Sequence, residues 1–126
     1  MKKYFLFITV FSIVFAMLTF TNGQSVEDNY LEGLNSENHG LRVNSAYFLG
    51  EMKSERAVEP LMKLFKEKED PGARLVAAWS LFKIGDERGI ALIKEESENS
   101  DCDYLRCICE YFYKDFSLKK YGRIVL

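Results

Sequence analysis

Cys102, Cys107 and Cys109 place three thiols within eight residues, the densest run of reactive side chains in this 126-residue chain. Thiols so close could form a disulfide, hold a metal or carry a redox step. Spacing narrows the choice. Residues two apart on a helix point to nearly opposite sides, so Cys107 and Cys109 cannot bridge each other there. Cys102 reaches Cys107 only if the helix starts late. That leaves three readings open: a Cys102–Cys107 disulfide, buried free thiols, or a bridge to another molecule. No metal is expected, because three ligands so placed lack a fourth. His39 is the single histidine, and nothing beside it has the spacing of a nucleophilic triad or a zinc hydrolase. Neither a catalytic residue nor a cofactor is therefore expected. Arg42, Arg74 and Arg106 are evenly spaced and could line up as a basic stripe for an anion. Each stands among apolar residues, however, which better suits a guanidinium tying neighbouring loops together.

The spacing of those arginines belongs to a longer self-similarity with a period of 32 residues. Leu41 to Leu49 superposes on Ala73 to Leu81, setting Arg42 on Arg74, Ala46 on Ala78 and Leu49 on Leu81. Without a gap, Met52 then falls on Ile84, Glu55 on Glu87, Arg56 on Arg88 and Leu61 on Ile93. A further shift puts Arg74 on Arg106 and Trp79 on Tyr111, with the pattern weakening. Each unit reads as two helices. In the first, Leu75, Ala78 and Phe82 share one side and Ala77, Leu81 and Ile84 an adjacent one, a wide apolar face of helical period. Gly85 can take the left-handed geometry that ends a helix, and Asp86 can cap the next. The second helix turns Ala57, Val58, Leu61, Leu64 and Phe65 inward and carries Pro60 in its first turn, where a missing amide costs little. Lys66 to Gly72, charged and then broken by Pro71-Gly72, is a connector. Neither pair can bury its face alone, so the units must stack.

The same alignment sets Cys107 on Val43 and Leu75, and Cys109 on Ser45 and Ala77, positions already small or apolar, which favours buried free thiols. Tyr104, Ile108, Tyr111 and Phe112 share one helical face and are expected to close the core. Tyr113 is left over. With the tail Lys119 to Leu126 it would form an apolar end through which the chain could join a second copy or a partner.

The run Arg42-x-x-x-Ala46-x-x-Leu49-Gly50-x-Met52, followed by Glu55-Arg56-Ala57-Val58-x-Pro60-Leu61 and by Asp70-Pro71-x-x-Arg74-x-x-Ala77-Ala78-x-x-Leu81-x-x-Ile84-Gly85-Asp86, resembles bacterial HEAT repeats. The likeness is to the short type first named from phycobilisome lyases, and it covers about residues 26 to 116. It implies an all-α fold, a short right-handed α-solenoid of antiparallel helix pairs. Two full units would occupy 38–69 and 70–101, with a partial N-terminal cap near Tyr30, Leu31 and Leu34 and a divergent C-terminal unit, 102–126. In that family the first-helix arginine and an acidic residue just before it form a ladder between neighbours. Asp70 precedes Arg74, and Asp101 or Asp103 precedes Arg106, but Asn38 precedes Arg42, a departure at the first rung. The resemblance further implies a non-catalytic protein-interaction scaffold. Its stacked second helices would offer a concave surface with Glu59, Met62, Lys63, Lys66 and Lys94 as contacts. Two alternatives stand beside it: an accessory or maturation factor for another enzyme, since such repeats occur in bilin lyases, and a self-assembling structural unit.

Met1-Lys2-Lys3 and the charge-free run Phe5 to Phe20 have the layout of a secretory signal peptide, 1–23, with cleavage after Gly23 and a mature domain, 24–126. The 16 apolar residues fall short of the roughly 20 that span a bilayer. The expected location is therefore periplasmic or secreted. An uncleaved anchor over residues 4–20 at the inner membrane is the other reading, and the only one that brings membrane contact. Removing Lys2 and Lys3 leaves 15 basic and 19 acidic side chains, a mixed and mildly acidic surface unsuited to nucleic acid. The expected partner is another protein.

Overall fold

The computed structural model describes residues 24–122. The segment 1–23 expected to be a signal or anchor, with its expected cleavage point, and the tail from Arg123 to Leu126 lie outside the described residues. Six helices follow one another: α1 Val26–Gly33, α2 His39–Glu51, α3 Val58–Lys66, α4 Pro71–Ile84, α5 Glu87–Asn99 and α6 Asp103–Tyr121, with one 3-10 turn, Glu55–Ala57, ahead of α3. Their starts are written in capping residues. Ser25 and Asp28 form a capping box on α1. The Leu41 amide donates to Asn38 Oδ1 at 3.0 Å, the Ala73 amide to Asp70 Oδ1 at 2.9 Å and the Arg88 amide to Asp86 Oδ1 at 2.9 Å. Pro71 opens α4, where its missing donor is harmless. Gly85 ends α4 at φ 75°, and Lys53, one period earlier, takes the same left-handed turn at φ 52°.

The helices pack in pairs, consistent with a HEAT-like solenoid: α1 with α2, α3 with α4, and α5 with α6. Their first-row members, α2, α4 and α6, start at His39, Pro71 and Asp103, each 32 residues after the last. The tight hairpin therefore runs across the connector, from α3 into α4, rather than across the turn between the two helices of one sequence unit. A short connector explains this, together with a fastening bond: Arg74 Nε donates to the Phe65 carbonyl at the end of α3, 2.9 Å away. Between hairpins, α2 and α4 make the most extensive contact. Their backbones approach closely at Gly50, where a Cβ would stand 2.7 Å from the Ser80 Cβ. Ser80 Oγ donates to the Ala46 carbonyl across the same seam at 2.7 Å.

The core gathers Leu49, Val58, Leu61, Phe65, Leu81 and Ile93, all fully or almost fully buried. Burial of each large aliphatic or aromatic side chain stabilises by roughly 1.5–3 kcal/mol. In α6 the buried stripe is Leu105, Cys109 and Phe112, with Phe112 stacked on Phe82 at 4.8 Å between ring centres. Here the sequence expectation needs correcting. Tyr104 and Tyr111 stay 65% and 66% exposed, because a stripe one residue out of phase sits about 100° around the helix. Tyr113 is corrected too: it packs against the core below Lys94, whose Nζ lies 5.7 Å from its ring centre. The last helix instead turns Glu110 and Lys114, paired at 2.6 Å, to positions that Ala78 and Phe82 hold one repeat earlier.

Candidate functional site

The three arginines are engaged inside the fold and form no free basic stripe. Arg42 reaches Asp70 Oδ2 at 2.5 Å, and His39 Nδ1, at the exposed start of α2, meets the same oxygen at 2.7 Å. Asp70 thus caps α4 while holding α2. Burial alone would raise its carboxyl, but the Ala73 amide, the Arg42 guanidinium and His39 outweigh that and hold it down at about 2. Arg42 has its rung after all, made with the cap of the following first helix rather than with the residue before its own. Arg74, 6% exposed, does not repeat this: it binds the Phe65 carbonyl and, at 3.2 Å, Glu96. The position that corresponds to Asp70 holds Cys102, which makes no side-chain cap on α6. Arg106 bonds locally, to Asp103 and to the Ser100 carbonyl at 3.0 Å.

A second ladder escaped the sequence reading. Arg56 pairs with Glu27 at 3.0 Å and Asp28 at 2.8 Å, and Arg88 stands 3.6 Å from Glu59. Its signal was present: Glu27 and Glu59, like Arg56 and Arg88, are 32 residues apart. The Ser54 hydroxyl, followed by Arg56, draws the Glu27 carboxyl below its usual range against the opposing effect of burial.

All three cysteines are free, which corrects the Cys102–Cys107 disulfide. Because α6 starts at Asp103, five residues of helix separate the two thiols by a rise of about 7.5 Å, beyond disulfide reach. Cys109 is buried, as the repeat alignment led one to expect, whereas Cys107 is exposed. Val43 and Leu75, its equivalents, are themselves only half-buried. Burial, and then the charge of Glu96, push the Cys109 thiol up to about 12, so it stays protonated and unreactive.

Four of the five expected contact residues come together. Glu59, Met62, Lys63 and Lys66 surround an open groove of about 490 Å³ beside α3, floored by Leu34, Pro60 and Leu64. They converge because helical period turns them outward while Val58, Leu61 and Phe65 point into the core. Neither Lys63 nor Lys66 has an ion-pair partner among the described residues, whereas Glu59 has Arg88. Lys94 is not part of the groove; it lies over Tyr113.

A second surface was not anticipated. The outward sides of α2, α4 and α6 carry Tyr47, Trp79 and Tyr111, one aromatic per repeat at the same register. Tyr47 stacks on Trp79 with ring centres 4.8 Å apart and planes 8° from parallel. Beside them a groove of about 350 Å³ runs between Leu75, Val76, Tyr104, Ile108 and Phe112, with no charged residue in its lining. The 32-residue register of Tyr47, Trp79 and Tyr111 could have revealed it, had Tyr111 not been assigned to the core.

Among known protein families, the one described as HEAT repeats matches residues 27–107, more than half of the chain. No curated protein matches it.

Proposed function

Starting from the fact that the chain belongs to the HEAT repeat family, we propose that it is a non-catalytic protein-interaction scaffold whose partner sits in the α3 groove. One observation carries this reading: Glu59, Met62, Lys63 and Lys66 converge on a groove that has an apolar floor and, at its rim, two ammonium groups with no ion-pair partner among the described residues. Such a seat fits a protein segment with an apolar anchor flanked by acidic side chains. The adaptable Met62 side chain would take up the anchor and the lysines would set its direction. Within the family, the motif from Arg42 to Asp86 supports kinship with the short bacterial repeats first named from phycobilisome lyases. That kinship brings the architecture and not a bilin chemistry. The charge-free run Phe5 to Phe20 behind Lys2 and Lys3 supports export, which would put the scaffold in the cell envelope or outside the cell.

Photocrosslinking from position 62 of the full-length chain in its host, followed by mass spectrometry, tests the seat. A discrete protein adduct that disappears in the Lys63→Glu, Lys66→Glu variant is the expected result. An adduct indifferent to those charges would remove the groove from the argument. Cell fractionation with N-terminal sequencing tests export: a mature chain beginning at Gln24 is expected, and a cytoplasmic chain beginning at Met1 would overturn it.

A further inference from the structure

We infer that the outward face of α2, α4 and α6 is self-complementary, and that two copies of this chain pair through it with their first-row helices antiparallel. The proposal uses none of the residues that line the α3 groove and stands apart from that reading.

Its first support is the centre of the face. The periodic row Tyr47, Trp79 and Tyr111 runs beside a groove whose lining holds no charged residue, in a chain whose residues are 29% charged, and Lys83 Nζ lies 5.3 Å from the Trp79 ring centre. Tyr104 and Tyr111 are about two-thirds exposed. Water-facing aromatics in a contiguous band are the composition of an interface core, where Tyr and Trp are enriched and charges depleted.

The second support is the pair of edges, which names the occupant. At the N-terminal edge stand Glu37, Glu69 and Asp101, acidic at one register in all three repeats and all exposed. Lys53, Lys83 and Lys119 stand at the C-terminal edge. Glu37, Glu69 and Lys53 make no ion pair among the described residues, while Asp101 pairs with Lys68, Lys83 with Glu51 and Lys119 with Asp115, so the first three are the charges left for a second copy. Each hairpin reverses direction, so α2, α4 and α6 run the same way. A twofold axis in the face and perpendicular to these helices sets each helix antiparallel to its own copy. Lys53 then opposes Glu37, Lys83 opposes Glu69 and Lys119 opposes Asp101. A twofold along the helices would instead set acid on acid. Charge therefore selects one isologous arrangement, with the centre of α4 falling near Val76, inside the apolar groove. The helix dipole by itself favours acids at N-termini and lysines at C-termini of a single copy. It gives no reason for exposed aromatics between them.

Analytical ultracentrifugation of the protein as the host delivers it from the full-length gene, over a range of concentrations, reads the pairing directly. A monomer–dimer equilibrium is expected, abolished by Tyr104→Glu with Tyr111→Glu, both at exposed positions, with unchanged helical circular dichroism. Lys53→Glu alone is expected to weaken the dimer about tenfold, because a twofold interface counts the change twice. Adding Glu37→Lys to it should restore the dimer, whereas Lys63→Glu with Lys66→Glu should leave it untouched. A protein that stays monomeric throughout overturns the proposal, as does a dimer indifferent to the tyrosine changes. A dimer that the charge exchange fails to rescue overturns the antiparallel register. An aromatic face occupied by a different protein would show as a monomer in this experiment and counts against the proposal.

Discussion

Asp70 does the work of two residues, closing the start of α4 and accepting Arg42 and His39 from α2. Its folded carboxyl, held at about 2, lies below the ordinary 3.8, so the unfolded chain takes up the proton first as pH falls. The stability it provides is therefore complete above about pH 4 and is lost as pH falls from there towards 2. Asp70→Asn keeps the cap and loses the charge. Urea titrations across that range should find the variant less stable near neutrality by about 1–2 kcal/mol, with a flatter acid limb. Equal slopes for both proteins would mean that the carboxylate is not held as described. The adjacent rung invites the opposite experiment. Cys102 occupies the register of Asn38 and Asp70 but caps nothing, leaving α6 without a side-chain acceptor at its start. Cys102→Asn should gain about 1 kcal/mol, and asparagine is preferable to aspartate because Asp101 and Asp103 flank the site. An unchanged or lower midpoint would show that the thiol has an unrecognised role in the fold. At this scale the sequence disclosed which arginines matter but not what they hold. Arg42 bonds 28 residues ahead, to a carboxylate brought near only when hairpins stack, and no local spacing contains that distance.

Helices and their ends were legible because the determinants are local: Asp70 and Asp86 as caps, Pro71 as an opener and Gly85 as a stop all stand within a turn of the boundary they set. What could not be read locally was helix phase against neighbours. In α6 the stripes Tyr104–Ile108–Tyr111 and Leu105–Cys109–Phe112 are both apolar, so periodicity alone could not say which faces inward. The choice falls to whichever ring finds Phe82. The same dependence on neighbours governs Gly50. In an isolated helix, alanine there should stabilise by roughly 0.5–1 kcal/mol, since glycine loses more freedom on folding. Within the stack, a Cβ at that point would lie 2.7 Å from the Ser80 Cβ and 2.8 Å from its Cα, which is backbone and cannot step aside. Forcing α2 and α4 apart should outweigh propensity, so Gly50→Ala is expected to destabilise by about 1–3 kcal/mol in chemical denaturation. A stabilised variant would refute the close approach of the two helices.

For the whole molecule, the period was visible in the sequence, while the pairing of α3 with α4 across the connector was not, because an even repeat looks the same wherever its first residue is set. The period also sets what α6 offers to a further helix. Each first-row helix offers one side to its successor and another to its predecessor. On α4 the forward side carries Ala78 and Phe82, with Phe82 stacked on Phe112; on α6 the same positions are Glu110 and Lys114, paired with each other. A further hairpin would have to bury that ion pair, at a cost no apolar gain is present to offset. Among the described residues, the opposite end carries no such ion pair, although Phe48 stacks on Tyr30 of α1 with ring centres 5.1 Å apart. Leu41, Phe48 and Met52 on α2 occupy the register of Leu105, Phe112 and Phe116 on α6, the side that docks on a preceding helix, and they are 51%, 43% and 46% exposed. Restoring the missing forward side should therefore let one molecule dock on the next. With Glu110→Ala and Lys114→Phe, the C-terminal end of one copy would match the N-terminal end of another, a heterologous contact that repeats without closing. Light scattering should then report open-ended growth with concentration, distinct from a dimer that stops at two copies. Adding Phe48→Glu to the same protein should abolish that growth. Growth that survives Phe48→Glu would place the contact elsewhere, and a variant that never assembles would show that the Glu110–Lys114 pair is not what keeps this side of α6 from docking.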